Sequence, residues 1–352
     1  MLIVVKIGTK IVLNEDIIDR IVVEISKLVS EGNRVVVVSS GAIGLGRRKL
    51  GINDNLTLSK KQALSSVGQV ELMKLYQNLF SKQGLNVAQI LLTYSELTSR
   101  KSLLNLINTI NELFKMNIIP VINENDAVAV EEIKFGNNDI LASLVATTLQ
   151  ADKLVILTDV DGLFKDFGSP NQELVREIRD IREVTRYLKG KKFELSTGGM
   201  KSKLQAGFTC MKSGVECVIA NGFNKDILND AVNGITGTKF IPDSKGRSFK
   251  DRLLILARKK GSIIVDNGAV DAIRKKKSLL PVGVKEVKGK FSVGDPIFIT
   301  DLNGNNIAIG ITNYSSSEVS KIKGKRTYEI EEILGTTEFD EEVIHIDNMV
   351  IL

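Results

Sequence analysis

Short apolar runs rich in valine and isoleucine alternate along this chain with longer segments whose apolar residues recur at helical spacing. The runs predict strands, and the longer segments predict helices that cover the faces of a sheet. Strands alternating with helices of this length are typical of a parallel, doubly wound sheet, so we expect an α/β fold. The predicted strands are Leu2–Ile7, Val35–Val38, Asn86–Leu92, a run from Ile118, Lys153–Leu157 and Val215–Ala220, and the long helices are Asn14–Ser30, Leu58–Ser81 and Ser95–Met116.

The alternation fades in the last third of the chain. The segment from Ile241 to Ser248 is rich in turn residues and is typical of a linker. From Gly261 to Leu352 the sequence has short strands, many turns and one helical patch. Because 352 residues are comfortable for two domains, we expect a mainly parallel α/β domain over 1–242, a linker over 243–250, and a small β-rich domain over 251–352.

The chain contains one histidine, His345, close to its C-terminal end. A Ser-His-Asp or Cys-His mechanism therefore has almost no source of imidazole. An enzyme built from this sequence has to work through positioning and electrostatics, with lysines, carboxylates and backbone amides. Phosphoryl transfer is the reaction class that fits this composition.

The apolar N-terminal run is too short for a signal peptide or a membrane span, because Lys6, Gly8 and Thr9 interrupt it. We therefore expect a cytoplasmic protein with no membrane association. The two cysteines, Cys210 and Cys217, are too few for a disulfide framework and lack the spacing of a zinc site. We expect both to be buried and reduced.

A cluster of amides and carboxylates follows the predicted strand that starts at Ile118 and ends near Asp126. Polar groups at the carboxyl ends of parallel strands lie where open α/β sheets bind ligands. Gly136 then breaks the chain, and the segment Asn137–Asp139 lies where the N-cap of a buried helix belongs. This pattern indicates either an anion-binding helix N-terminus or an ordinary asparagine-rich turn.

Lys6 lies inside the apolar run of the first predicted strand. It either extends along an edge of the sheet to reach water or projects from the strand end into a phosphate site. In the second case Gly8 allows the backbone to approach the phosphate closely.

Three glycines follow the second predicted strand, at Gly41, Gly44 and Gly46. Their spacing matches neither a Walker sequence nor the dinucleotide fingerprint. They form either an anion-binding loop or a turn that lets helices pack closely. Thr158 and Asp159, at the end of a later strand, fit both a ligand site and an ordinary turn.

The segment Leu195–Lys203 opens a predicted helix that runs to about Ser213. Two adjacent glycines after a hydroxyl resemble a flexible anion loop, and Lys203 lies one turn from Gly199 on the same side of the helix.

Positive charge is concentrated towards the C-terminal part. Residues 241–300 hold 14 Lys and Arg against 6 Asp and Glu, which gives +8 in a chain of net charge +6. A clustered basic face is an electrostatic feature of nucleic-acid binding.

Taken together, these motifs resemble the glutamate 5-kinase family of the amino acid kinase superfamily. The motifs occur in that family's order, and they are Lys6–Thr9, Ser39–Ile43, Ile119–Val128, Gly136–Asp139, Leu157–Asp159 and Thr197–Lys203. The C-terminal segments Val265–Ala269, Ser278–Val284 and Gly289–Asp295 are similar to the PUA domain of that family. The resemblance spans essentially the whole chain.

The resemblance implies ATP-dependent phosphorylation of the γ-carboxylate of L-glutamate, with Mg²⁺ on the phosphates of ATP and no direct protein ligand assigned to the metal. It implies three catalytic residues, Lys6, Lys203 and Asp139, and four substrate-binding residues, Ser40, Gly41, Asp126 and Asn138. The nucleotide-binding residues implied are Lys6, Gly8, Thr158, Asp159, Thr197, Gly198, Gly199, Met200, Lys201, Ser202 and Lys203.

The resemblance further implies feedback inhibition by proline, RNA binding at the PUA-like domain, a downstream glutamyl-phosphate reductase as a partner, and a homo-oligomer. Two rival hypotheses stay open on sequence grounds. One is a sister kinase of the superfamily that acts on another carboxylate, carbamate or UMP. The other is an RNA-binding protein whose N-terminal domain serves only as a scaffold.

Overall fold

The protein is described here from a computed structural model covering residues 1–53, 56–93, 96–97, 100–129, 138–166, 168–180, 182, 184, 199–242, 254, 259–336 and 339–352. The chain divides into two compact units, Met1–Arg247 and Ser248–Leu352. The predicted linker, 243–250, lies outside the described residues.

The first unit is built on an eight-stranded sheet formed by described residues. Its order is β3-β4-β2-β1-β5-β9-β10-β8, and every neighbouring pair is parallel except β9 and β10. The predicted mainly parallel α/β fold is therefore confirmed. The strands are β1 Leu2–Ile7, β2 Arg34–Ser39, β3 Asn86–Leu92, β4 Ile118–Glu124, β5 Lys153–Thr158, β8 Glu177–Ile178, β9 Glu216–Asn221 and β10 Thr238–Phe240, with β6 Phe164–Lys165 and β7 Glu173–Leu174 in a separate ribbon.

Helices connect these strands. Asn14 caps the second helix, because its side chain accepts a hydrogen bond from the backbone of Ile17, and a buried stripe then packs that helix on the sheet. The helices of the first unit are α1 Thr9–Val12, α2 Glu15–Ser30, α3 Ala42–Leu50, α4 Leu58–Ser81, α5 Arg100–Lys115, α6 Asn138–Thr148, α7 Gly199–Ser213 and α8 Ile227–Val232.

Glycines bring α3 and α4 into backbone contact. A Cβ on Gly46 would lie 2.0 Å from the carbonyl oxygen of Leu64, and one on Gly68 would lie 1.7 Å from that of Ala42. Of the two readings of the glycine cluster, close helix packing therefore holds for Gly46. Gly41 differs, because its φ of 106° at the start of α3 requires a residue without a Cβ.

Successive side chains of β1 alternate between the hydrophobic core and the opposite face of the sheet. Ile3, Val5 and Ile7 belong to a hydrophobic core that also holds the buried face of α2. Since successive side chains of a strand point to opposite faces, Lys6 lies on the other face of the sheet. β1 pairs with β2 on one side and β5 on the other, so the reading of Lys6 as an edge residue is wrong.

The second unit is a small β-rich domain, as predicted. Its five-stranded sheet has the order β12-β11-β13-β14-β15 and encloses its own hydrophobic core. The strands are β11 Gly261–Val265, β12 Val284–Gly289, β13 Pro296–Thr300, β14 Asn306–Ile311 and β15 Met349–Ile351, and the helices are α9 Asn267–Arg274, α10 Ser316–Ile322 and α11 Ile330–Leu334.

Cys210 and Cys217 are both buried and unpaired with each other, as expected from the sequence. Burial raises the pKa of the Cys217 thiol, which keeps it protonated. Within the described residues, no helix has the length and apolar character needed to cross a bilayer.

Candidate active site

Polar side chains from several strands meet at one edge of the first sheet. β1, β2, β4 and β5 are parallel, so their carboxyl ends lie together. Lys6, Ser40, Asp126 and Asp159, all predicted site residues, lie in or directly after these strand ends.

The centre of this edge is an ion cluster formed by Lys6, Asp139 and Lys203. The Lys6 ammonium lies 2.7 Å from Oδ1 of Asp139, and the Lys203 ammonium lies 3.2 Å from Oδ2. Asp139 is fully buried, and the two lysines are 5% and 8% exposed. The structure therefore brings together three predicted residues that are separated by up to 197 positions, from residue 6 to residue 203.

Burial and ion pairing shift the pKa values of the cluster in opposite directions. Burial raises the pKa of Asp139, but the charges of Lys6 and Lys203 and the hydrogen bonds outweigh burial and hold that pKa below its usual value. Burial lowers the pKa of Lys6 more than the attraction of Asp139 raises it. The carboxylate thus stays ionised, and the Lys6 ammonium loses its proton more easily than that of an exposed lysine.

The start of α7 supplies two further contacts to this cluster. The Ser202 hydroxyl lies 2.9 Å from Oδ2 of Asp139 and 2.9 Å from the carbonyl oxygen of Gly199, so its one proton is donated to either acceptor. Lys203 also donates to the Gly199 carbonyl oxygen, at 3.2 Å, one turn earlier in the helix. The sequence motif placed Ser202 in a loop that binds nucleotide, and its contact with Asp139 was not predicted.

A chain of amide side chains holds Asn138 beside the cluster. Asn138 donates from Nδ2 to the backbone oxygen of Ser39 at 2.6 Å and to Oδ1 of Asn123 at 2.8 Å. Nδ2 of Asn123 donates to Oε1 of Gln69 at 2.8 Å. The backbone oxygen of Ser39 only accepts, so Nδ2 of Asn138 must face it and Oδ1 is turned away from that backbone.

Sequence reasoning missed Asn123 and Gln69. One signal for Asn123 was present, because it ends the apolar run of β4 and opens the cluster of amides and carboxylates that follows. Gln69 lies on α4, 54 positions from Asn123, and no local pattern marks it.

The remaining predicted substrate residues lie close to the ends of β2 and β4. Asp126 accepts a hydrogen bond from the Ser65 hydroxyl at 2.8 Å and stays partly exposed. Ser40 and Gly41 follow β2 directly, and both are partly buried. The alternation of Val, Ala and Glu from Ala127 to Phe135 predicts a small hairpin over the site, and this segment lies mostly outside the described residues.

The predicted nucleotide residues fall into two groups. Gly8 follows β1, Thr158 is the last residue of β5, and Asp159 follows it. The Thr158 hydroxyl donates to Oδ1 of Asp159 at 3.2 Å. Gly199, Met200 and Lys201 form the first turn of α7. Thr197 and Gly198, which complete this motif, lie outside the described residues.

Lys10, which the sequence did not single out, pairs with Asp159. Its ammonium lies 2.5 Å from Oδ2 of that residue, and the two side chains are 75% and 40% exposed. Hydrogen bonding to Lys10 lowers the pKa of Asp159.

This arrangement can bring two anionic reactants together. Lys6 and Lys203 carry two positive charges against the single charge of Asp139, so the buried cluster keeps an excess of one positive charge. Among the described residues, no group of three or more His, Cys, Asp or Glu side chains could hold a metal ion. His345 lies in the second unit.

The sequence matches two family models. Residues 1–221 match the amino acid kinase family, and residues 261–334 match the PUA domain. A glutamate 5-kinase from Caldanaerobacter subterraneus subsp. tengcongensis is 44% identical, with 100% of this chain and 98% of the relative covered. A glutamate 5-kinase from Dictyoglomus thermophilum is 43% identical, with 99% of this chain and 97% of the relative covered.

Solved structures show the same fold at lower similarity. A carbamate kinase from Giardia lamblia bound to AMP-PNP aligns with a TM-score of 0.50 at 20% identity, covering 69% of this chain and 98% of its own. A protein of Aeropyrum pernix K1 aligns with a TM-score of 0.50 at 18% identity, covering 69% of this chain and 100% of its own.

Proposed function

Because the chain belongs to the amino acid kinase family, as a glutamate 5-kinase, we propose that Lys6, Asp139 and Lys203 form its catalytic centre. Glutamate 5-kinases are phosphotransferases that catalyse the first step of proline biosynthesis. In this reaction ATP phosphorylates the γ-carboxylate of L-glutamate, which yields L-glutamyl 5-phosphate and ADP. The observation that carries the proposal is the buried contact of both lysines with the two oxygens of Asp139.

The chemistry needs positive charge and not a general base. The γ-carboxylate of glutamate is ionised at neutral pH, so the nucleophile is ready without proton removal. The two reactants repel each other, because both are anions. Two lysines at the transferring phosphoryl group offset that repulsion as charge spreads over its oxygens.

Asp139 positions the lysines and does not touch the reactants. Both of its oxygens are bound by ammonium or hydroxyl groups, which fixes the direction in which each lysine points. Lysines held in this way lose little entropy when the transition state forms, because their positions are set beforehand.

We assign the glutamate pocket to Ser40, Gly41, Asp126 and Asn138. The Asp126 carboxylate suits the α-ammonium group of the amino acid, and the orientation of the Asn138 amide leaves Oδ1 as an acceptor. Gly41 has a positive φ, which turns the backbone after β2 towards the start of α3.

We assign the nucleotide to Lys6, Gly8, Thr158, Asp159 and the segment Thr197–Lys203. Mg²⁺ fits this site as an ion carried by the phosphates of ATP, because the oxygens of Asp139 are already bound by lysines. When bound, the metal neutralises negative charge on the phosphates. Lys6 and Lys203 then hold the transferring group in line with the carboxylate.

A coupled assay with glutamate, ATP and magnesium tests this function, with glutamyl phosphate trapped as its hydroxamate. We expect turnover to depend on glutamate, and turnover with aspartate, carbamate or UMP in its place would refute the assignment. Parallel assays of variants at Asp126 and Asn138 should show a raised KM for glutamate with little change in the KM for ATP. The opposite pattern would move these residues to the nucleotide side.

RNA binding is a second candidate function, and it concerns the second unit. Four exposed basic residues, Arg274 to Lys277, follow one another at the end of α9. Such a run can bind phosphates of a nucleic acid with a strong dependence on salt. Replacing Lys275, Lys276 and Lys277 by glutamine should weaken RNA binding and reduce its salt dependence, while kinase turnover stays unchanged. Absence of RNA binding in the unaltered protein would remove this candidate.

We further place the kinase domain at 1–242, the linker at 243–250 and the PUA-like domain at 251–352. We also propose that the protein is a cytoplasmic homo-oligomer and that proline inhibits it. Its product, L-glutamyl 5-phosphate, passes to a glutamyl-phosphate reductase. These proposals are supported by the resemblance to the family. Turnover measured with and without proline tests the inhibition directly.

A further inference from the structure

Lys10 lies at the outer end of a row of alternating charges that starts inside the proposed catalytic centre. Lys203 and Lys6 each bind one oxygen of Asp139, and Lys10 binds Asp159. The two groups are neighbours, because β1 and β5 pair with Ile7 beside Leu157, and Lys10 and Asp159 follow shortly after these two residues at the same edge of the sheet. The row therefore runs from the buried floor of the site to its surface.

The base of Lys10 is anchored by buried neighbours, whereas its charged end is exposed to solvent. Lys10 belongs to α1, and the next two residues, Ile11 and Val12, are 1% exposed and anchor this short helix in the core. The Lys10 side chain itself is 75% exposed. Its ammonium can therefore change partners without any movement of the backbone.

The inner and outer pairs differ in how easily they exchange. Breaking a buried pair leaves an uncompensated charge, so Lys6 and Lys203 stay paired with Asp139. The outer pair is in contact with water and contributes little to stability. A phosphate group offers Lys10 more negative charge than one carboxylate does and can therefore displace Asp159.

We propose that Lys10 is a further phosphate-binding residue of the reaction, whose ammonium leaves Asp159 and contacts the β-phosphate of ATP. The inference rests on the proposed function, in which Lys6 and Lys203 hold the transferring γ-phosphoryl group. The next position outward along the row of charges is then that of the β-phosphate. Asp159 holds Lys10 beside this position before the nucleotide arrives.

Binding of nucleotides to the full chain, measured by calorimetry without glutamate, tests the proposal. Lys10→Met removes the charge and keeps most of the side chain's bulk. We expect it to weaken the binding of ATP and ADP about five- to twentyfold, the effect of one exposed charged hydrogen bond, and to leave the binding of AMP unchanged. Lys10→Arg should restore most of the affinity. Equal weakening of all three nucleotides would indicate a structural role and overturn the proposal.

A second set of variants separates direct contact from neutralisation of Asp159. If Lys10 only cancels the charge of Asp159, then Asp159→Asn and the double variant Lys10→Met/Asp159→Asn should bind ATP equally well. If Lys10 contacts phosphate, the double variant should bind ATP at least fivefold more weakly than Asp159→Asn. Equality of the two would overturn the proposal.

Lys115→Met is the matched control, because Lys115 is also exposed and ion-paired, at 2.6 Å from Glu112. It should bind ATP like the unaltered chain. Turnover assays keep the two proposals distinguishable. Absence of glutamate-dependent turnover in the unaltered chain would contradict the proposed function. Normal turnover with an unchanged KM for ATP in Lys10→Met would contradict only the role of Lys10.

Discussion

The two Lys-Asp pairs formed by Lys6 and Lys10 have the same chemistry and opposite surroundings, although the two lysines are only four residues apart. Lys6 binds Asp139 at 2.7 Å in a place where the carboxylate has no contact with solvent. Lys10 binds Asp159 at 2.5 Å, and its side chain is 75% exposed. The distances are nearly equal, so burial and not geometry distinguishes the two pairs.

Burial determines what each pair can do. In the interior, charges attract each other strongly, and neither partner can be exchanged for water. At the surface the same attraction is screened by water and salt, so the pair is easily broken. A phosphotransferase benefits from both kinds, because a fixed cation can stabilise the transition state while an exchangeable one can bind and release nucleotide.

The largest expected effect comes from removing the buried carboxylate. Asp139→Asn leaves Lys6 and Lys203 close together without a counter-charge, which should cost about 3–5 kcal/mol of the free energy of unfolding. Turnover should fall by more than the roughly 10²–10³-fold that the loss of one charge donor causes, because both lysines lose their orientation. Thermal unfolding and the coupled assay measure the two effects. A stable variant with near-normal kcat would show that Asp139 does not organise the site.

The second largest effect is expected from removing Lys203, one of the two lysines of the buried cluster. Lys203→Ala should lower kcat by about 10²–10³-fold, the scale of one preorganised donor, while the KM for glutamate changes little. Gln205→Ala is the control, because Gln205 is exposed on the same helix. It should retain full turnover. An unchanged rate in Lys203→Ala would place the lysine outside the catalytic centre.

A smaller effect follows from the lowered pKa of Lys6. The charged ammonium is lost as pH rises through this pKa, so turnover should fall at a pH below 10.5, the ordinary value for lysine. Folding should not weaken over the same range. Since the folded state binds fewer protons than the unfolded state there, the contribution of Lys6 to the free energy of unfolding rises with pH. Activity loss without unfolding therefore identifies titration of Lys6.

Lys203 provides a check on that pH profile. The positive charge of Lys203 contributes to lowering the pKa of Lys6. In Lys203→Ala, the alkaline fall of the residual activity should therefore move to higher pH. A fall that stays in place would have to be assigned to a different group.

The comparison of the two pairs also marks the limit of sequence reasoning. Lys6 was identifiable because it breaks a local rule as a charge in an apolar strand, and Asp139 was identifiable because it lies where the start of a buried helix can bind an anion. Lys10 breaks no rule, because a lysine on an exposed helix turn is ordinary. Its significance depends on Asp159, which lies 149 positions away and comes close only when β5 pairs beside β1.

The same limit explains the rest of the site. The alternation of strands and helices predicted the sheet and the edge where the proposed site lies. The contact of Ser202 with Asp139 and that of Gln69 with Asn123 join side chains 63 and 54 positions apart, on elements that only tertiary packing brings together. The glycines at 46 and 68 are similar, since their role depends on how closely two helices approach.

The smallest expected effect is on the exposed pair, and it tests the contrast most directly. In the absence of nucleotide, Asp159→Asn should change the free energy of unfolding by at most about 1 kcal/mol, because water screens the contact with Lys10. A double-mutant cycle with Lys10→Met should give a coupling energy that disappears in about 1 M salt, where the screening length is roughly 3 Å. The destabilisation by Asp139→Asn should persist in the same salt, because salt does not enter the buried cluster. If both effects responded to salt alike, the distinction between a fixed and an exchangeable pair would fail, and with it the reason for which Lys10 can transfer from Asp159 to a phosphate.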